Sequence, residues 1–175
     1  MSSSLYNTTV VPAKQALNAL SNILRQAEQH ENAAKLLDAA LCEDMKPLSF
    51  QVSFSVQLAE KMVARLTESP IGTYDTNIPT FAEAQSQIEK AIKVLDAADE
   101  TTINGNAEKT AEIGMGPGVN IPMRLENYAH AFSMSNLYFH VVTAYSILRK
   151  EGVPLGKKDY LGSFMGPYMP QGQGQ

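Results

Sequence analysis

NYAHAFSMSNLYFHVVTAYSILRKEGVPLGKKDYLG, residues 127–162, is the stretch on which the fold turns. It predicts a long last helix from about Leu125 to Lys150. Arg149 and Lys150 complement the dipole in its final turn, and Gly152, Val153 and Pro154 stop it. The run Leu137-Tyr138-Phe139-His140-Val141-Val142 makes its middle largely apolar, so this helix must be packed.

Working back along the chain, the glycine cluster Gly114-Met115-Gly116-Pro117-Gly118 is flanked by two short segments and predicts a small β-hairpin just before that helix. Arg124 and Glu126 stand at the junction, where a salt bridge or cap is expected. A third helix carries Phe81, Ala84, Ile88, Ala91, Ile92, Leu95 and Ala98, opened by the capping box Thr80-Phe81-Ala82-Glu83. The segment from Thr67 to Pro79, with Pro70, Gly72 and Asn77, reads as a loop.

Before it, Phe50, Phe54, Leu58, Met62 and Leu66 form an i, i+4 stripe, widened by Val52, Val56, Ala59 and Val63. Glu60, Lys61 and Arg65 are expected toward the opposite side, and Asp44 is a plausible N-cap for this second helix. A short helical bridge is expected over Ala33 to Leu41. The first helix is expected from Pro12, at a position that tolerates a missing N–H, through Ala13, Ala16, Leu17, Leu20, Ile23, Leu24 and Ala27 to an end near Gln29 to Asn32. After Pro154, Tyr160, Leu161, Phe164, Met165, Tyr168 and Met169 form an apolar segment expected to pack on the bundle or on a partner. Together these readings give an all-α, single-domain architecture over residues 1–170, with 171–175 as a disordered tail.

Composition narrows the function classes. The 175 residues carry 44% hydrophobic content, enough for one ordinary core, and a formal charge of −4. No basic field exists to gather nucleic acid or an anionic membrane, and no apolar run approaches the ~20 residues of a membrane span. The start of the chain lacks a basic region followed by an apolar one, so a cytoplasmic protein is the expectation. Cys42 is the single cysteine, which excludes an intrachain disulfide and a Cys-rich metal site. The adjacent Glu43 and Asp44 oppose a reactive thiolate. The glycine cluster lacks the Lys-Ser/Thr sequel of a phosphate loop.

The opening motif closes this reading. Asn136, Phe139-His140, Thr143-Ala144-Tyr145, Ile147-Leu148-Arg149, Gly152-Val153-Pro154-Leu155-Gly156-Lys157, Asp159 and Leu161-Gly162 resemble an uncharacterised DinB-like family of bacteria and fungi. Leu41, Asp44-Met45, Pro47-Leu48, Gln51-Val52 and the opening Tyr6 with its leucine-rich helix match as well. The resemblance spans nearly the whole chain. It implies a four-helix bundle of up-down-down-up order with a long crossover, often a homodimer, and no established activity. Fungal members are often labelled helix-turn-helix proteins, which this acidic composition does not support.

The wider DinB-like superfamily includes enzymes that hold a divalent metal with three histidines, one early on the second helix and two a turn apart on the last. Here His140 stands at one such position, but Ala144 and Asn136 occupy the places four residues away, and helix two offers Gln51 or Asp44. His130 lies about 80° round and roughly 15 Å along the helix from His140, too far for a shared ion. His30 falls in a polar stretch. No metal and no cofactor is therefore expected.

His140 remains the central candidate. Its plain reading is a core histidine satisfied by a hydrogen bond. Its sharper reading is a catalytic acid/base group at the floor of a pocket between helices two and four, with Asp44, Gln51, Asn136 and Tyr145 as substrate-binding neighbours. A small organic molecule is the expected ligand, with metal-independent chemistry if the protein is an enzyme. The rival readings are a non-catalytic dimeric interaction or stress-related module, and a divalent-metal-dependent DinB-like enzyme.

Overall fold

The computed structural model describes residues 4–74 and 76–169. The expected disordered tail, 171–175, lies outside the described residues. Helix α1 spans Leu5–Glu28, α2 Ala33–Leu36, α3 Leu48–Leu66, α4 Phe81–Asp96 and α5 Glu100–Gly105. Strands β1 (Thr110–Gly116) and β2 (Val119–Arg124) follow. Then α6 (Leu125–Asn127), a π-helical stretch (Tyr128–Met134) and α7 (Ser135–Lys150) run on as one long helix, and α8 (Lys157–Met165) is followed by a 3-10 turn, Gly166–Tyr168.

Side-chain pairs fix the directions of the four long helices. Lys14 meets Asp96 and Ser21 meets Gln85, so α1 and α4 are antiparallel. Gln51 meets His140 while Arg65 meets Tyr128, so α3 opposes the last helix. Thr8 and His130 meet near the starts of α1 and the last helix, which run together. The order is up-down-down-up, with the loop from α3 to α4 as the crossover.

The core is the inward face of each long helix. Leu17, Leu20, Ile23 and Leu24 of α1 meet Leu48, Met62 and Leu66 of α3, Ile88 and Leu95 of α4, and Ile147 and Leu148 of α7, all fully buried. Each such side chain contributes about 1.5–3 kcal/mol by leaving water.

Several boundaries differ from expectation. Helix α1 begins at Leu5 because Ser4 caps it, its Oγ accepting from the Asn7 N–H at 3.2 Å. Pro12 therefore sits inside the helix instead of opening it. Helix α2 covers only Ala33–Leu36. Asp44 is not the cap of α3: it is exposed in the turn closed by the Met45 N–H on the Cys42 carbonyl, and Pro47 holds the cap position in extended backbone. The orphan N–H groups of Leu48 and Ser49 donate instead to the Ala39 and Leu37 carbonyls at 2.8 and 3.0 Å, so backbone carbonyls take the place of a side-chain cap.

Thr80 makes half of the expected capping box: its Oγ1 accepts from the Glu83 N–H at 3.1 Å, while among the described residues the Glu83 carboxylate accepts from Gln87 one turn on. After Lys150, the Gly152 N–H bonds Arg149 and the Val153 N–H bonds Leu148. This paired closure needs a left-handed residue, and Gly152 takes φ +90°.

The hairpin pairs Thr110 with Arg124 and Ile113 with Ile121, with a register shift between Gly114 and Gly116. Pro117 and Gly118 make its turn, Gly118 at φ +73°. Arg124 pairs with Glu108 and Glu126, as expected at that junction. The apolar tail packs on the bundle in part: α8 lies against α1, where Gln26 donates to Asp159 and Asn22 to Ser163, and Phe164 meets Tyr138 of α7, while Met165, Tyr168 and Met169 stay exposed.

Candidate functional site

Two features lie along the seam between α3 and the last helix. The first is the pair Gln51–His140. Gln51 stands in the first turn of α3, buried, and donates through Nε2 to the Lys46 carbonyl at 2.9 Å. That bond orients its amide, so Oε1 faces His140 Nδ1 at 2.6 Å. An amide oxygen only accepts, hence Nδ1 carries the proton and Nε2 the lone pair. Phe50, Phe54 and Phe139 surround the imidazole, with the Phe54 ring centroid 4.7 Å away. Desolvation among these rings pulls the His140 pKa down to about 4, leaving the ring neutral at pH 7.

The other expected site residues are only partly gathered. Asn136, one turn before His140, is half-buried and donates through Nδ2 to the Phe132 carbonyl at 2.8 Å. Tyr145 packs against the core, about 140° round the helix from His140. Asp44 is exposed in its turn and is not brought to the pair by any hydrogen bond of Gln51 or His140. The donors near His140 are thus one imidazole and two carboxamides, with Ala144 at the next turn. They do not fit a three-histidine metal site, and among the described residues no three His, Cys, Asp or Glu side chains converge.

The second feature is a cavity of about 350 Å³ farther along the seam. Phe54, Gln57, Leu58, Lys61 and Arg65 of α3 form one side. Tyr128 and Phe132 of the π-helical stretch, Ile113 and Gly114 of β1, and Ile71 of the crossover loop complete it. Phe54 is shared, with the imidazole on one side and the cavity on the other. Sequence reasoning assigned Lys61 and Arg65 to the solvent side. They are half-buried because the hairpin and the crossover loop fold over that face of α3.

The π-helical stretch had no signal in composition or periodicity. It inserts an extra residue into the turns ahead of α7, and such insertions are frequent at functional sites. Here it stacks Tyr128 on Phe132, centroids 5.6 Å apart, as a flat wall of the cavity. It also buries Ser133 Oγ without a hydrogen-bond partner among the described residues.

With this geometry in hand, comparison with known proteins is decisive for the family. A model of a domain of unknown function, DUF1993, matches residues 5–161. The chain belongs to the DUF1993 family. A crystal structure of a DinB family member from Shewanella denitrificans is 34% identical, with a TM-score of 0.80 over 90% of this chain and 92% of that one. The DUF1993 chain therefore has the DinB-like bundle that its last helix announced. No curated protein matches it. Among the described residues, no helix is long and apolar enough to cross a membrane.

Proposed function

We propose that this DUF1993 domain binds a small organic molecule in the seam between α3 and the last helix. The observation that carries the reading is the cavity walled by α3, the π-helical stretch and the hairpin, next to a buried polar pair. Its volume lies at the lower end of the range for small-molecule sites, and its walls are mainly apolar with a few polar groups. His140 contributes through Nε2. Held neutral so far below pH 7, it is a hydrogen-bond acceptor first, and it takes a proton only from a ligand that brings one to Nε2. Binding therefore leads this reading. Metal-independent proton transfer by His140 is its catalytic extension, with Asn136 as the polar neighbour one turn away.

The proposal includes a single folded unit over residues 1–170, supported by one apolar cluster that draws on every long helix. It also includes a cytoplasmic setting, where the exposed thiol of Cys42 stays reduced. A second reading, association of two copies, is favoured by the outer face of α7. There Phe139 and Val142, one turn apart, are 57% and 45% exposed.

The test is a thermal-shift screen of small organic molecules, followed by amide chemical-shift mapping of any stabilising compound. Shifts should concentrate in α3, residues 128–132 and β1. A panel without a stabilising compound, or shifts that map elsewhere, would falsify the reading.

A further inference from the structure

Lys61 and Arg65 lie one turn apart on the face of α3 that also presents Phe54 and Leu58 to the cavity. Both are half-buried, and among the described residues neither has a carboxylate within ion-pair distance. Lys61 Nζ donates to Gln57 Oε1 at 3.3 Å and stands 4.9 Å from the Tyr74 ring centroid. Arg65 donates one of its N–H groups to the Glu112 carbonyl at 3.3 Å and lies over Tyr128, 5.3 Å from the centroid. Neutral oxygens and aromatic faces orient the two cations without neutralising them. Glu68, next on the chain, is already committed to Lys109 at 2.5 Å.

Two half-buried positive charges with no counter-charge among the described residues favour a ligand that supplies one. Apart from Gln57, the rest of the cavity is mainly apolar, with Phe54, Leu58, Ile71, Ile113 and the stacked pair Tyr128–Phe132. Resting on the small-molecule reading above, we propose that the ligand is a monocarboxylate with an aromatic-sized apolar body. Lys61 and Arg65 take the carboxylate and the aromatic wall takes the body. Guanidinium and ammonium donors match carboxylate oxygens, and such charge-assisted bonds are about twice as strong as neutral ones. The cavity is too small for a large polyanion beside an apolar group of that size.

Calorimetric titration of the purified protein with 4-phenylbutyrate, 4-phenylbutan-1-ol and butyrate separates the contributions. The acid should bind roughly ten-fold or more tighter than the alcohol, as a charge-assisted contact of about 1.5–3 kcal/mol requires. It should also bind tighter than butyrate, which lacks the body. Lys61→Gln and Arg65→Gln should each remove most of the preference for the acid while leaving alcohol binding unchanged. Arg65 also holds the hairpin through Glu112, so Lys61→Gln is the cleaner variant; among the described residues the Lys61 ammonium meets Gln57 and the Tyr74 ring. Equal binding of acid and alcohol, butyrate binding as well as the acid, or an unaltered preference in Lys61→Gln overturns the carboxylate assignment alone. Binding of neither acid nor alcohol overturns it together with the small-molecule reading.

Discussion

His140 shows how one side chain's surroundings settle its chemical state. The Lys46 carbonyl orients Gln51, Gln51 places the proton of His140 on Nδ1, and three phenyl rings keep the imidazole neutral. The consequence for stability follows from the sign of the shift. The pKa is about 4 in the folded chain against an ordinary 6.5. Between those values the unfolded chain takes up a proton that the folded chain refuses. The contribution of His140 is therefore fully present above pH 6.5 and lost as pH falls through the window toward 4. In urea denaturation from pH 7 to pH 4, wild type should lose stability faster than His140→Gln, so their midpoints converge. Parallel midpoints across the window would show that His140 titrates as an exposed residue. The histidine and its glutamine were legible as a pair of candidates, because both are polar residues in apolar runs. Lys61 and Arg65 were not, since charged residues at the end of an amphipathic helix look the same whether solvent or a hairpin lies over them.

Among the elements, α1 and the last helix depart most from simple periodicity. Pro12 reads as a helix start, yet Ser4 provides a better one, and Leu5, Thr9 and Val10 already belong to the buried face. The proline survives eight residues into the helix because packing of that face outweighs one missing backbone bond to Thr8. Pro12→Ala restores the N–H and should stabilise the protein by roughly 1–2 kcal/mol, less than the full cost of an interior proline because the unfolded chain gains freedom. A raised melting temperature in calorimetry checks this, and an unchanged or lower one would mean the helix is shaped around the ring. The π-helical stretch is the opposite case. Nothing in Tyr128–Met134 forbids an ordinary α-helix, yet the stretch is π-helical where Tyr128 meets Arg65 of α3 and stacks on Phe132.

For the whole molecule, the bundle closes its core but leaves the outer face of α7 uncovered. The tail does not cover it: α8 lies on α1 through Gln26 and Asn22 and reaches α7 only as far as Tyr138, while Phe139 and Val142 stay exposed. If two copies meet there, light scattering of wild type gives a dimer mass and Phe139→Asp gives a monomer of unchanged helicity. A monomeric wild type at micromolar concentration removes the dimer reading and leaves the ligand reading intact.

Local patterns were enough for the all-α class, the hairpin before the last helix, the Thr80 start of α4 and the Gly152 stop of α7. Each depends on residues within a few positions of one another: a hydroxyl reaching an N–H three residues on, or a glycine accepting positive φ. The length and match of the last helix likewise made the DinB-like bundle readable. The exposed turn that holds Asp44, the cavity and its two cations, and the π-helical wall required the folded chain. They are made by segments far apart in sequence, where α3, the crossover loop, β1 and residues 128–132 converge. Whether a polar side chain is solvated or enclosed depends on what packs over it, and that is a property of the assembled bundle.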